Sequence, residues 1–352
     1  MLIVRHHEVR DILAGREGDV IEAVRAAYRL HDEGRTAVPH STFLRLPSAT
    51  GEPDPHNRII GLPAYLGGEM ATVGMKWIAS FPGNIERGLD RASAVIVLNS
   101  PRTGHPDALI EGSMISAART AAGAAIAADL LACDPDGDGV AFIGCGVINL
   151  AILRFLMVVR PGLTRATVFD IDPARAAAFA RRCATVAPDV AVTVADHLGQ
   201  ALAAHDLVAI ATTASTPYLD PDACRPGGTL LHISLRDLTA EAILASHNVV
   251  DDADHVCREG TSPHLAEQLT GDRRFIDASL GQLLRPGGRL RRDRGKAVVF
   301  SPFGLGVFDL AVARLVWDEA VRRGMGVRVD DLLPASGPLT VQNPDEKGRA
   351  DD

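Results

Sequence analysis

Apolar residues recur at helical spacing early in the chain. Val20, Ala23, Val24, Ala27 and Leu30 share one face, which predicts an amphipathic helix over 19–30. Over 36–110 the rhythm changes to short apolar runs (FLRLP, RIIGLPAYLGG, TVGMKWIASFPGN, ASAVIVLNS) broken by Gly, Pro and Asn. That pattern predicts antiparallel strands with turns at 48–57, 67–68 and 100–105. Residues 107–132 are Ala-rich and nearly free of Gly and Pro, so a sustained helix is expected there. The cluster from Cys133 to Gly139 (CDPDGDG) reads as a turn and as a domain junction.

Beyond it the pattern alternates strand and helix. Strands are predicted at 140–144, 166–170, 190–194, 206–213, 229–234 and 247–250, with helices at 148–159 and 173–185, and 296–304 as a last strand. Such alternation is the signature of a doubly wound parallel sheet. The expected fold class is α/β: a strand-rich α+β domain over 1–132, and a parallel-sheet domain over 133–304. A helix over 307–323, within a closing segment 305–333, is expected to return to the first domain. The polar tail 334–352 reads as disordered.

The first turn of that sheet carries chemistry. Strand VAFIG runs into Gly144-Cys145-Gly146, then Val147, Ile148 and Asn149 open a helix, and the next strand ends in Asp170. This is the context in which a G-x-G-x-x-G pattern marks a Rossmann dinucleotide site. Gly144 allows the tight turn, and Gly146 lets a pyrophosphate reach free N–H groups at the helix N-terminus. Asp170 is placed to accept from the adenosine ribose hydroxyls, which favours NAD over NADP. Two features depart from the pattern. Asn149 replaces the third glycine, which is expected to loosen helix–sheet packing. Asp170 also lies somewhat further on than the usual ~20 residues, with Asp172 as a rival acid. Thr212 and Thr213, ending the fourth strand, face the nicotinamide ribose or cap the next turn. Ser234 ends the fifth strand and completes the candidate cofactor contacts.

Composition narrows the picture. The apolar share of 47%, charged share of 23% and net charge of −8 suit a globular protein, and give no basic stripe for nucleic acid. The basic run 285–294 is broken by Gly and Pro and reads as a solvated loop. Five scattered cysteines imply neither a disulfide framework nor a zinc site, so no metal is expected and a reducing, cytoplasmic setting is. No uninterrupted apolar run of about 18 residues predicts a membrane span.

The first half carries no motif that spacing alone would name, yet it resembles a known family. The stretches are Phe43-Leu-Arg45-Leu-Pro47, Gly61-Leu-Pro63-Ala-Tyr65-Leu-Gly-Gly68, Gly74-Met-Lys76-Trp77, Phe81-Pro-Gly-Asn84, Thr103-Gly104 and Ala117-Ala-Arg119-Thr120-Ala-Ala122. Gly144-Cys-Gly146 and Leu235-Arg-Asp237 follow. Together they are similar to the ornithine cyclodeaminase/mu-crystallin family up to about Arg323. The long run from Lys76 to Asn99, with SAARTAA, IGCGVIN and HISLRDL, looks like the branch that makes L-2,3-diaminopropionate for siderophores and peptide antibiotics. In that branch Asn149 is part of the pattern. The resemblance implies NAD-dependent oxidation of a glutamate Cα–N bond, a small amino-acid substrate and a homodimer formed through the strand-rich layer.

It also implies roles. Arg45 and Arg119 match positions that hold substrate carboxylate; without it they read as a strand-surface charge and a helix ion pair. Lys76, set in an apolar stretch, is a proton carrier or carboxylate clamp by resemblance, and otherwise a lysine snorkelling at a strand edge. Asp237 matches the acid at the reaction centre, with a salt bridge to Arg236 as the structural alternative. His105, His232 and His264 read as packed or surface histidines. Leu235-Arg236 replaces the small residues that precede this acid in the cyclodeaminases, which speaks against ornithine cyclisation. A cyclodeaminase, a cyclic ketimine reductase and a non-catalytic dinucleotide-dependent carrier like mu-crystallin remain as alternatives.

Overall fold

The computed structural model describes residues 1–47, 51–134, 137–330 and 332–333. The expected disordered tail, part of the 48–57 turn and two residues of the 133–139 cluster lie outside that set. The described residues form two eight-stranded sheets.

The first sheet runs in the order Val327–Arg328, Leu2–Val4, Pro106–Glu111, Ala92–Asn99, Thr72–Ser80, Pro53–Leu66 and Thr36–Ala37, with Thr42–Pro47 also paired to Pro53–Leu66. The expected antiparallel segment is there, but Leu2–Val4 joins it in parallel against Pro106–Glu111. Two boundaries differ from the sequence reading. Strand Pro53–Leu66 begins inside the region expected to turn. Residues 107–111 are strand, and the Ala-rich helix starts at Ser113. Period two wins over helix propensity here, because Ala108 and Ile110 are buried on alternate positions. Gly112 then lets the chain pass close by, since a Cβ there would sit 3.1 Å from both Ala94 and Ile96 side chains.

The second sheet is wholly parallel. Its order is Ala191–Val194, Arg165–Phe169, Gly139–Ile143, Leu207–Ile210, Thr229–His232, Val298–Ser301, His247–Val250 and Ile276–Ser279. The strand order reverses between Gly139–Ile143 and Leu207–Ile210, neighbours that run parallel, and this is the switch point where doubly wound folds take ligands. Strand Val298–Ser301, expected as a last addition, lies inside the sheet beside Thr229–His232.

Helix Ser113–Leu131 touches Ala92–Asn99 of the first sheet and Thr229–His232 of the second, while helix Gly306–Arg323 packs on the first sheet and against Ser113–Leu131. The first is apolar and long enough to cross a membrane by composition, yet Ala121, Ala122 and Ala124 to Ala128 are fully buried in the protein core. Small residues permit close approach: a Cβ on Gly306 would lie 2.9 Å from the Leu62 carbonyl oxygen.

Candidate active site

Four neighbouring strands of the parallel sheet deliver one loop each to the same carboxyl edge. Gly144 follows Gly139–Ile143, Thr212 follows Leu207–Ile210, Asp237 follows Thr229–His232 and Gly304 follows Val298–Ser301. At a strand spacing of ~4.8 Å the row spans about 15 Å.

At its first position, Gly144 adopts φ +88°, and a Cβ would collide with the Ala211 carbonyl oxygen at 2.5 Å. At Gly146 a Cβ would point into open space. Six helices of this half (Pro173–Val186, Leu198–Ala204, Ala240–Ala245, Ala253–Val256, Ser262–Thr270 and Leu280–Leu283) are capped by their own side chains. Helix Val147–Val159 has no such cap, so its first-turn N–H groups and dipole are left for an anion. Asp170 accepts from the Cys145 N–H (2.8 Å) and the Asp172 N–H (3.1 Å), placing its carboxylate beside the glycine turn. Asp172 is spent as the cap of Pro173–Val186. Ile171, between them, is 94% exposed at the strand end, an apolar face suited to a planar base. These features fit a dinucleotide.

Asn149 behaves differently from its expectation. It is fully buried and donates to the carbonyls of Ile143 (3.0 Å) and Gly144 (2.6 Å). The side chain thus ties helix to strand where a third glycine would only permit contact. Val147 is exposed at the helix start and Ile148 is half-buried. Thr213 is exposed, while Thr212 donates to Asp237 and accepts from the Ala214 N–H at 3.1 Å.

Asp237 has no exposed surface. It accepts from Thr212, Ser234 and the Tyr218 hydroxyl (3.2 Å), with His232 Nε2 at 3.3 Å. Burial pushes its carboxyl up, but the contacts with His232, Ser234 and Thr212 outweigh that and hold it below the ordinary value. Leu235 sits at φ +67°, a left-handed strain that turns the chain so that Asp237 points back at its own strand. Arg236 is no partner; it donates to the Glu259 carbonyl at 2.7 Å. His232 is packed, with Nδ1 3.1 Å from Ser301 Oγ.

The far end of the row holds a charge cluster from the other half of the chain. Lys76 Nζ lies 2.7 Å from Asp309 Oδ2 and 3.3 Å from Ser116 Oγ. Arg119 Nε donates to Asp309 Oδ1 at 3.1 Å, and its guanidinium packs under Gly304 (φ +92°), where a Cβ would meet Nη1 at 2.6 Å. Asp251 fixes that turn by accepting from the Phe303 (2.9 Å) and Gly304 (2.6 Å) N–H groups. Among the described residues the two terminal nitrogens of Arg119 have no hydrogen-bond partner, and they are positioned to fork onto a carboxylate. Lys76 is 2% exposed; burial lowers its pKa to about 8, Arg119 adding to the fall and Asp309 opposing it.

Arg45 lies apart from this cluster, with Nη2 2.9 Å from Glu259 Oε2. No group of three metal-ligating side chains occurs among the described residues.

With this geometry in hand, comparison with known proteins is decisive. The model of the ornithine cyclodeaminase/mu-crystallin family matches residues 3–324. The chain belongs to that family. N-((2S)-2-amino-2-carboxyethyl)-L-glutamate dehydrogenase of Staphylococcus aureus is 31% identical over 306 residues, 85% of this chain and 91% of that protein. Alanine dehydrogenase of Archaeoglobus fulgidus is 25% identical over 93% of this chain and 98% of its own. Among solved structures, CmnK superposes with TM-score 0.85 at 31% identity, covering 95% of this chain and 99% of that one. The Delta(1)-pyrroline-2-carboxylate reductase of Thermococcus litoralis, in complex with NADH and L-proline, also gives 0.85, at 26% identity over 94% and 100% of the two chains.

Within this member of the ornithine cyclodeaminase/mu-crystallin family, sequence reasoning missed Asp309, Tyr218 and Asp251 as parts of the candidate site. Only Asp309 had a visible signal: it is an acid among Val307, Phe308, Leu310, Ala311 and Val312 near a helix start. The others reach the site through loops and strand ends that carry no motif.

Proposed function

We propose that this protein is an NAD-dependent dehydrogenase that oxidises N-(2-amino-2-carboxyethyl)-L-glutamate, for siderophore or peptide natural-product assembly. The balance is substrate, NAD and one water giving 2-oxoglutarate, L-2,3-diaminopropionate, NADH and one proton. The observation that carries this reading is the placing of Arg119, pinned by Asp309 and Gly304, on the same sheet edge as the uncapped dinucleotide turn.

Gly144, Gly146 and the N–H groups of Val147, Ile148 and Asn149 hold the pyrophosphate, and Asp170 takes the adenosine ribose. Thr212, Thr213 and Ser234 line the next part of the crevice. Bound NAD supplies the acceptor for the hydride leaving the glutamyl Cα. Lys76 and Arg119 hold the α-carboxylate beside that carbon, with Asp309 fixing both cations. The ion pair with Asp309 favours the clamp over the proton-carrier role for Lys76. Asp237 is the proton acceptor, reached through Tyr218, a half-exposed residue whose hydroxyl donates to it. Once that first proton has passed to solvent, the same pair takes a proton from the water that attacks the C=N bond and returns it to the departing diaminopropionate nitrogen. Arg45 holds a carboxylate further out.

A homodimer is supported by the outer face of the antiparallel sheet. There Leu44, Tyr65, Trp77 and Val95 are 39% to 47% exposed, with Trp77 and Val95 directly paired across strands. The five unpaired cysteines suit a cytoplasmic setting.

The 26% likeness to a reductase in complex with NADH and L-proline keeps a cyclic ketimine reductase as the second reading. Incubation with the glutamate adduct and NAD separates the two. Equal amounts of NADH, 2-oxoglutarate and diaminopropionate are expected. Inert adduct, with NADH-dependent reduction of a cyclic imine or with ornithine giving ammonia and proline, would overturn the proposal.

A further inference from the structure

A second cluster of cations lies on the same sheet face as Lys76, and of its members the chemistry above uses only Arg45. Cross-strand partners in an antiparallel sheet share a face. Arg45 pairs with Arg58, and Arg58 with Ser80. Ser80 lies four residues along the strand from Lys76, so the two share a face at a separation of roughly 13 Å. Arg91 Nη1 donates to Ser80 Oγ at 3.0 Å, bringing its guanidinium beside Arg58. Arg236 enters from the loop just before Asp237 and donates to the Glu259 carbonyl, while the Glu259 carboxylate meets Arg45 at 2.9 Å. Glu259 itself is held at φ +54°.

Four guanidinium groups from two sheets therefore converge, with Glu259 beside Arg45 and the Asp237 carboxylate also acting on Arg236 among the described residues. Arg58 Nε is buried without a hydrogen-bond partner among the described residues. Burial, with Arg236, Arg45 and Arg91 nearby, pulls the Arg58 guanidinium down to about 10, against the influence of Glu259. A folded protein leaves so many like charges under-neutralised only at a cost, and an incoming anion offsets it. Planar guanidinium forks favour a carboxylate as that anion.

We infer that Arg58, Arg91 and Arg236, with Arg45, form a second carboxylate subsite that takes the distal carboxylate of a dicarboxylic amino-acid arm, Glu259 serving as its resident counter-ion. The inference rests on the proposed substrate only for naming that arm as glutamyl. It makes these arginines the selectors of a diacid over monocarboxylic amino acids. Relatives that handle alanine or a cyclic imine have no such arm to hold.

The test uses the protein saturated with NADH and two probes, 2-oxoglutarate and 2-oxobutyrate, which differ in the distal carboxylate. The wild type is expected to bind 2-oxoglutarate about 100-fold more tightly, the scale of a buried charged pair. Arg58→Met should remove most of that preference while leaving 2-oxobutyrate within about threefold. Glu259→Gln should act in the opposite direction, tightening 2-oxoglutarate alone by about fivefold. A purely structural role would not give opposite signs. If Arg58→Met fails to fold, Arg236→Met, on the other sheet, carries the same expectation. No preference in the wild type, or equal losses for both probes, overturns the subsite. Preference without turnover of the glutamate adduct would retain the subsite and remove the substrate reading; turnover without preference would do the reverse.

Discussion

The two ends of the loop row at the carboxyl edge are built from different materials. Around Gly144 the candidate binding groups are backbone: a left-handed glycine, an open Cβ position and the free N–H groups of an uncapped helix. Around Lys76 they are long side chains from the strand Thr72–Ser80 and the helices Ser113–Leu131 and Gly306–Arg323, joined by one buried acid. The first end is local, made within some thirty residues on the scale of one βαβ unit. The second exists only once two sheets and two helices have packed. A local site can be lost through one backbone atom, whereas a long-range one depends on its shared counter-ion.

That difference can be broken experimentally. The largest effect is expected for Asp309→Asn, which leaves Lys76 and Arg119 without their shared carboxylate. Breaking a buried charge pair costs about 3–5 kcal/mol, so kcat/KM for the glutamate adduct should fall about 1000-fold. NADH affinity, measured by fluorescence titration, should not change. Gly144→Ala is the mirror experiment. Its Cβ would strike the Ala211 carbonyl, and the strain and shifted turn should weaken NADH about 100-fold, roughly 3 kcal/mol. Carboxylate binding at Arg119 should survive.

Two smaller effects sharpen the contrast. Asn149→Ala removes two donors from buried carbonyls and should lower stability by about 1–3 kcal/mol, read as a lower Tm, more than it lowers turnover. The pH dependence is smaller still. With Lys76 at about 8, the cation is mostly present at pH 7 and half present at pH 8. The clamp is therefore lost as pH rises, and KM should increase about twofold across that unit, with kcat changing less. A rise in kcat over the same range would instead mark Lys76 as a base.

The same contrast explains what the sequence made legible. Gly144, Gly146 and Asp170 were readable because a strand, a tight turn, a helix and an acid follow in order, and each has a local physical reason. Asn149 was misjudged because a short side chain that bonds two carbonyls does the work of a glycine without looking like one. Residues 107–111 were taken into the helix because alanine content outweighed a short alternation. Lys76 and Arg119 were singled out only by resemblance, since no spacing links residues that meet only through Asp309. Arg236, offered as a salt-bridge partner for Asp237, turns away to Glu259 because left-handed Leu235 sends the two side chains in different directions.

The central claim is that both ends of the row act on one carbon, the glutamyl Cα. The most direct measurement supplies the adduct carrying deuterium at that carbon, with NAD, and locates the label by mass spectrometry. Deuterium should appear in the reduced dinucleotide, with unlabelled 2-oxoglutarate released beside diaminopropionate. Label absent from the NADH while products form would contradict the account.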